Sequence, residues 1–384
     1  MPIYKTTGKR DGLRKYLVRV NFMDESGGAK QVTRTAYGLE AARDLERALY
    51  TEVKEKKENP TTRKTVQQLF EEYIAVKQYE TRKTTYASRL SKYVHYIKDT
   101  LGEVRIDRLT ASVLQGWKLG VEKTGLLCST KKEIYSLLRA ILNCAVKMEY
   151  ITKNPLFRIG NFRDVMSIKP DASYYTPEEF ERFIGVARSS AQNCETNKNT
   201  YVEWNYYVFF AIAYYTGLRI GEILALKWGD ISGEYLSVRR SMSIYNEETP
   251  PKNRSSMRTL QIPKPLMVIL NEQKRRHKEL MSGVDGLRVC GGTDVVTRVV
   301  LAKRNRTYAE VAGVKRIRIH DFRHSHASLL ASEGINIQEV ARRLGHAKVE
   351  MTWNTYSHLY PKEEEKAIAV LNRVGCSVHD SYTI

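Results

Sequence analysis

The stretch LGHAKVEMTWNTYSH (344–358) sets His346 and Tyr356 ten residues apart, with His358 just beyond. An imidazole and a phenol so spaced suit proton transfer or nucleophilic attack. A phenol with a pKa of about 10 is nevertheless a poor nucleophile unless its surroundings change it. An amphipathic helix whose Tyr and Trp fill a core would look the same. Other fragments raise the same choice. In YYTGLRIGEILALKWGDI, Gly217 ends an apolar run and Arg219 opens the next helix, with Glu222 three residues on and on the same face. A charge between YYVFFAIAYY and IGEILAL is costly unless partnered, although pairing with Glu222 alone would account for it. Lys252 sits at the tip of a loop, where most lysines are only solvated. In RIHDFRHSHASLLA, His320 and Arg323 share a face at a helix start. His320, His324 and His326 invite a metal reading, but no carboxylate-rich cluster or HExxH pattern supports one, so no metal site is expected.

Taken together, two arginines, a lysine, two histidines and a tyrosine make a kit for a phosphodiester. Guanidinium forks match nonbridging phosphate oxygens and offset the charge that repels a phenolate. They also stabilise the added charge of a pentacoordinate transition state. A hairpin lysine can protonate a departing 5′ oxygen, and histidines can hydrogen-bond the phosphate or take the tyrosine proton. A covalent phosphotyrosine at Tyr356 would retain the bond energy, so no ATP is called for; the cationic side chains supply the stabilisation a metal would give, so no metal or other cofactor is expected.

The bulk of the chain agrees with a polyanionic partner. Among 384 residues, 63 Lys and Arg face 43 Asp and Glu, a formal charge of +20 that suits nucleic acid, although a basic solvated surface would give the same count. Hydrophobic residues at 42 % and charged residues at 28 % exclude a disordered chain. The start, MPIYKTTGKRDG, lacks the apolar core of a secretory signal. The apolar run YYVFFAIAYYTGL (206–218) falls short of the roughly 18–20 residues of a membrane span. The five scattered cysteines share no CxxC-type spacing, which suits reduced thiols in a cytosol and no structural zinc site.

Three segments must position these groups. In 1–58, alternation through Tyr16, Val18 and Val20, a DESGG turn and a second alternating run predict a small three-stranded sheet backed by one helix. Arg14, Lys15, Arg19, Lys30 and Arg34 lie on or near its strands and are candidate DNA contacts. After a polar linker, 65–155 reads as all helical. Ile134, Leu137, Leu138, Ile141, Leu142 and Ala145 form a core stripe there, and Lys131 and Lys132 are candidate DNA contacts. A second linker, PLFRIGNFRDVMSIKPDASYY, is expected to run over a surface. The third segment, 172–384, opens on a Thr176-Pro177-Glu178-Glu179 capping pattern. It carries strand-like runs at 235–244 and 258–263 joined by a long hairpin loop, and is otherwise helical. The fold class is multidomain, mostly α with small β.

The fragments TGLRIGE, PPKNRSSMR, HDFR, LGH and NTYSH, in that order, resemble the signature of the tyrosine recombinases. The resemblance is greatest to the integrases of temperate phages and conjugative transposons of Gram-positive bacteria. In that family an arginine in a TGLRxGE box, a hairpin lysine, HxxR, LGH and a C-terminal tyrosine carry the chemistry. The resemblance implies a catalytic set of Arg219, Lys252, His320, Arg323, His346 and the nucleophile Tyr356, supported by Glu222. Asn253 follows Lys252 where Thr is common. It also implies an arm-type DNA-binding domain (1–58), a helical core-binding domain (65–155) and a mixed α/β catalytic domain (172–384). Its product would be site-specific integration and excision of a mobile element through a 3′-phosphotyrosine and a Holliday junction. A homotetramer on DNA would do this, with a final helix, roughly KEEEKAIAVLNRV, docked on a neighbouring protomer. An excisionase and a DNA-bending host protein are further partners it leaves open. Rival readings are DNA relaxation of the type IB topoisomerase kind, a chromosome-dimer resolvase, and a non-catalytic DNA-binding regulator. The basic N-terminal sheet argues against the first two and the intact six-residue set against the third.

Overall fold

The computed structural model describes residues 3–10, 12–23, 29–58, 63–164, 173–193, 197–251, 254–280, 283–361 and 367–372. It divides into two compact units, residues 1–168 and 169–384. Among the described residues, no helix is long and apolar enough to cross a membrane.

The first unit contains two separate cores. Strands β1 (Ile3–Arg10), β2 (Leu13–Met23) and β3 (Ala29–Tyr37) form an antiparallel sheet in that order. Helix α1 (Leu39–Glu58) lies against it, and Ala42 and Leu49 pack with Tyr16, Val18 and Val20. Period-two alternation thus buries one face, as the sequence predicts. The register divides the basic residues. Lys15 and Arg19 lie on the face away from Val18, where Arg19 stacks on Tyr4 at 5.3 Å. Arg34 pairs with Val18 and Lys30 with Phe22, so these two, with Arg14, lie on the other face. Arg14, Arg19, Lys30 and Arg34 are exposed.

The second core belongs to a helical bundle: α2 (Val66–Glu80), α3 (Lys83–Tyr93), a π turn (Val94–Lys98), α4 (Asp99–Leu101), α5 (Ala111–Glu122) and α6 (Cys128–Lys147). A Thr65/Gln68 capping box starts α2. The predicted stripe from Ile134 to Ala145 is fully or nearly fully buried. Lys131 pairs with Glu122 at 2.6 Å, whereas Lys132 is exposed. The segment after Asn154 departs from the expected surface linker. Leu156 and Phe162 are buried in this core, the Tyr135 hydroxyl donates to the Leu156 carbonyl, and Lys118 Nζ ties down the carbonyls of Ile159, Gly160 and Asn161. An irregular segment with only two apolar anchors has no periodicity to announce its burial.

The second unit is built on α7 (Pro177–Gln192) and α8 (Asn197–Thr216). The Thr176/Glu179 capping box is formed. Residues 204–214 of α8 are buried on every side, which is why the run is apolar without a period. Phe180, Phe183, Phe210, Tyr308 and Phe322 interlock around it. A short α9 (Ile220–Leu224) leads into β4 (Ile231–Ser232), β5 (Tyr235–Val238), β6 (Ser241–Met242), β7 (Glu248–Thr249) and β8 (Arg258–Gln261). Here the predicted strand 235–244 splits: β5 joins β4 and β8 in one sheet, while β6 pairs with β7 in another. Arg240 lies between the two parts and pairs with buried Asp230, which takes it out of any ladder. The chain continues through α10 (Lys264–Leu280), α11 (Arg298–Val311), α12 (Asp321–Ser332), α13 (Ile337–Leu344) and α14 (Glu350–Tyr356). Residues 367–372 are helical; the rest of the predicted final helix lies outside the described residues.

Phe210→Ala in this unit is expected to cost about 3–5 kcal/mol through the cavity it leaves. Hydrogen exchange should then show faster exchange of α8 amides and no change in α6.

Candidate active site

The sequence TGLRIGE fixes the first part of the site through a backbone requirement. Helix α8 stops at Thr216, and Gly217 takes φ +64°. A Cβ there would lie 2.7 Å from the His326 ring and 3.1 Å from a Leu344 methyl, so neither the conformation nor the space admits a side chain. The turn delivers Arg219 to the start of α9. Glu222 Oε2 accepts from the Arg219 amide at 3.1 Å, and its Oε1 accepts from Arg219 Nη1 at 2.9 Å.

Glu222 is buried and also accepts from Arg258 Nη2 at 2.9 Å. Burial would raise its carboxyl pKa, but the Arg258 and Arg219 guanidiniums outweigh this and hold it below the usual range. Arg323 is buried as well, one helical turn into α12. Its Nη1 donates to the Gly217 carbonyl at 2.9 Å and its Nη2 to the Leu344 carbonyl at 2.6 Å. Burial, then the nearby Arg219 charge, push its pKa down to about 9.

All three arginines meet the same helix end. Arg258 Nε donates to the Arg343 carbonyl at 2.6 Å, Arg323 to Leu344, and Arg219 Nη2 reaches the Gly345 carbonyl at 3.5 Å. These are orphan carbonyls at the C-terminus of α13, where a helix dipole favours cations. Gly345 takes φ +66° to end that helix, and a Cβ on it would sit 2.9 Å from Arg258 Nη1. Three guanidiniums around one buried carboxylate leave an excess of positive charge that an anion can neutralise.

His346 follows directly. Its Nδ1 is 2.8 Å from Thr352 Oγ1, and burial, then Arg323, Arg219 and Arg258, push its pKa down to about 4. A neutral ring accepting the Thr352 proton at Nδ1 carries its own on Nε2, the form that donates to an oxyanion. Tyr356 ends α14 at 3 % exposure, packed with Ala327, Ala331, Val340 and Leu344. Its Oη lies 2.6 Å from His324 Nδ1. Burial pushes the phenol pKa up, with Arg323 opposing, and burial pushes His324 down. The phenol therefore keeps its proton and donates a hydrogen bond to Nδ1 of a neutral His324 in its Nε2–H tautomer. The His320 ring meets the His324 ring edge-on at 5.5 Å, and packing around it, then the charges of His324 and Arg323, lower its pKa.

Thus Arg219, Glu222, His320, Arg323, His346 and Tyr356 fall in one neighbourhood of the second unit. Lys252 lies outside the described residues. The arm and bundle residues Arg14, Lys15, Arg19, Lys30, Arg34, Lys131 and Lys132 belong to the first unit. His326 turns away: it is buried, its Nδ1 donates to the Tyr214 carbonyl at 2.9 Å, and its Nε2 accepts from Arg343. Burial and the Arg343 charge push it to about 3. Among the described residues, no group of three or more His, Cys, Asp or Glu could hold a metal ion. Arg258 and Thr352 are not among the sequence-predicted site residues, and His324 is named there only among three clustered histidines. For Arg258 the signal was present: in RTLQ it shares the inward parity of Leu260, and an inward charge on a strand demands a partner.

Comparison with known proteins identifies two matching families. Residues 176–363 match the phage integrase family, and residues 65–118 its N-terminal SAM-like domain. The ICEBs1 integrase of Bacillus subtilis (strain 168) is 27 % identical over 368 residues, 92 % of this chain and 95 % of the relative. A XerC-like tyrosine recombinase of Caldanaerobacter subterraneus is 28 % identical over 313 residues, 75 % of this chain and 77 % of the relative. The Tn1549 transposon integrase in complex with transposon right end DNA superposes with a TM-score of 0.63 at 20 % identity, over 81 % of this chain and all of the other. A lambda integrase tetramer bound to a Holliday junction gives 0.55 at 18 %, over 90 % and 96 %.

Arg258→Met removes a buried partner of Glu222 and is expected to destabilise the second unit by about 3–5 kcal/mol. Arg258→Lys restores the charge but not the fork across three acceptors, so its unfolding midpoint should stay well below the parent's.

Proposed function

The chain belongs to the phage integrase family of tyrosine recombinases, and from that premise we propose how its residues cut and rejoin DNA at a specific site. The Tyr356 oxygen attacks a backbone phosphorus, a 3′-phosphotyrosine forms, and the 5′ oxygen leaves as a hydroxyl. A 5′-hydroxyl from the partner strand then reverses the step on the new junction. Because the phosphotyrosine keeps the energy of the broken bond, the cycle draws on no ATP. Two such exchanges pass through a Holliday junction and integrate or excise a mobile element.

Arg219 and Arg323 are the phosphate clamp. Arg323 is held by the Gly217 and Leu344 carbonyls and Arg219 by the Glu222 carboxylate before substrate arrives, so their reorganisation on binding is small. His346, neutral and steadied by Thr352, donates to a nonbridging oxygen, and His320, at the start of α12, is a second donor. Lys252 is the acid for the departing 5′ oxygen. Glu222 orients Arg219 and does not touch the substrate. The one observation that carries this reading is the convergence of Arg219, Arg258 and Arg323 on the end of α13, in the neighbourhood of the buried phenol of Tyr356.

The domain roles follow from charge and family. Residues 65–155 and 172–384 hold the core site, with Lys131 and Lys132 toward the backbone. Residues 1–58 hold distant arm sites through Arg14, Lys15, Arg19, Lys30 and Arg34. Four protomers act together on DNA in the cytoplasm, linked by the segment 362–374, with an excision factor or a bending protein joining for one direction. The lambda integrase tetramer on a Holliday junction supports such an assembly.

The test uses DNA spanning the ends of the element that encodes the gene, nicked beside the crossover, and incubated in EDTA with the protein or with Tyr356→Phe. A DNA-linked band that survives SDS should form with the parent alone. Adducts from both proteins would mean that another residue is the nucleophile.

A further inference from the structure

His324 has no part in the scheme above, yet its Nδ1 is within hydrogen-bond distance of the reacting oxygen, 2.6 Å from Tyr356 Oη. The contact is built from two sides. His324 follows Arg323 in α12, so the backbone that seats the phosphate clamp also fixes Nδ1. Tyr356 is locked against the same helix by Ala327 and Ala331, with the two rings 5.7 Å apart. The helix start is itself anchored, because Asp321 accepts from the Arg318 amide and from two of its guanidinium nitrogens.

We infer that His324 is a further catalytic residue, whose Nδ1 accepts the Tyr356 proton as Oη attacks phosphorus; the inference rests on the recombinase reading. In cleavage the Oη–P bond forms and the P–O5′ bond breaks. The phenol proton passes to Nδ1, and the leaving electron pair stays on O5′, which takes a proton from the Lys252 ammonium. In rejoining, the 5′-hydroxyl returns its proton to that amine and displaces Oη, which recovers its own from Nδ1.

Charge ties this transfer to substrate. The ring is faced by His320, Asp321, Arg323 and Arg318 of its own helix start and by Tyr356 of α14. Burial is the largest influence that disfavours its protonated form, and the Arg318 and Arg323 cations add to it. A phosphodiester paired with Arg323 neutralises part of that charge, so the imidazole becomes a better base when there is a phosphorus to attack. Without DNA the phenol remains protonated, buried and unreactive.

The test separates nucleophile activation from leaving-group protonation. Two nicked duplexes are compared, one with the natural bridging 5′ oxygen and one with a bridging 5′ sulfur, whose thiolate departs without an acid. His324→Asn keeps an acceptor near the position of Nδ1 but cannot take up a proton. Its rate of adduct formation should fall about 100-fold on both duplexes, with DNA retardation and melting temperature as in the parent. His324→Gln, which places its amide differently, should show the same loss if Asn perturbs folding. Parental rates in either folded variant, or rescue by the sulfur duplex, would overturn the inference alone. A parent that retards DNA but forms no adduct would overturn the recombinase reading and the inference with it.

Discussion

The site depends on the last three carbonyls of one eight-residue helix. Arg343, Leu344 and Gly345 present oxygens that have no partner within α13, and Arg258, Arg323 and Arg219 reach one each. A helix C-terminus is a region of negative potential, and it is one of few places in a protein interior where several cations can gather without an equal number of carboxylates. Glu222 supplies the single formal negative charge and binds two of the three. The arrangement is stable enough to form, and it is short of anionic charge. That shortage is what suits it to the proposed phosphate contact.

From this constraint the neighbouring residues follow. Gly217 allows α8 to turn back so that its carbonyl faces Arg323 and the next residue but one is Arg219. Gly345 lets α13 end in the left-handed conformation, and a side chain there would occupy the place of Arg258. His346, the first residue after that turn, inherits the positive surroundings, and its imidazole stays neutral because burial and three cations disfavour a further charge. The electrostatics that bind an anion therefore also set the protonation state of the groups that donate to it.

The primary structure reveals much of this, and its omissions have physical causes. TGLRIGE, HDFR and LGH are legible because each couples a charged residue to a glycine or a helix start, where local rules are strict. Arg219 next to an apolar run demanded a partner, and Glu222 at helical spacing was the natural one. Arg258 shows its inward parity in RTLQ, but its partners are 36 and 85 residues away, and no local spacing names them. His324 was weighed only as one of three clustered histidines. Helical geometry sends His326 into the core and leaves His320 and His324 side by side, a distinction that only the packing of α12 against α8 decides. The irregular segment 156–162 misled for the opposite reason: turn residues and charge dominate its composition, while two apolar side chains determine where it goes.

In the proposed reaction the nucleophile, Tyr356, is separate from the clamp. Arg219, Arg258 and Arg323 are interlocked through α13 and Glu222, so displacing one leaves buried charge exposed to a low-dielectric interior. Tyr356 is held instead by a small apolar cluster of alanines, valine and leucine, plus one hydrogen bond to His324. Those contacts carry no formal charge, and they are made on α14, which has only seven residues. The proposed phosphate-binding half is tied together by charge, and the half that carries the phenol by apolar packing. A strand-exchange enzyme has to keep hold of a phosphate through cleavage while its tyrosine bonds to it and lets go. Placing the charges at the end of α13 and the phenol on α14 would let a bond to Tyr356 form and break without dismantling the network of Arg219, Arg258, Arg323 and Glu222.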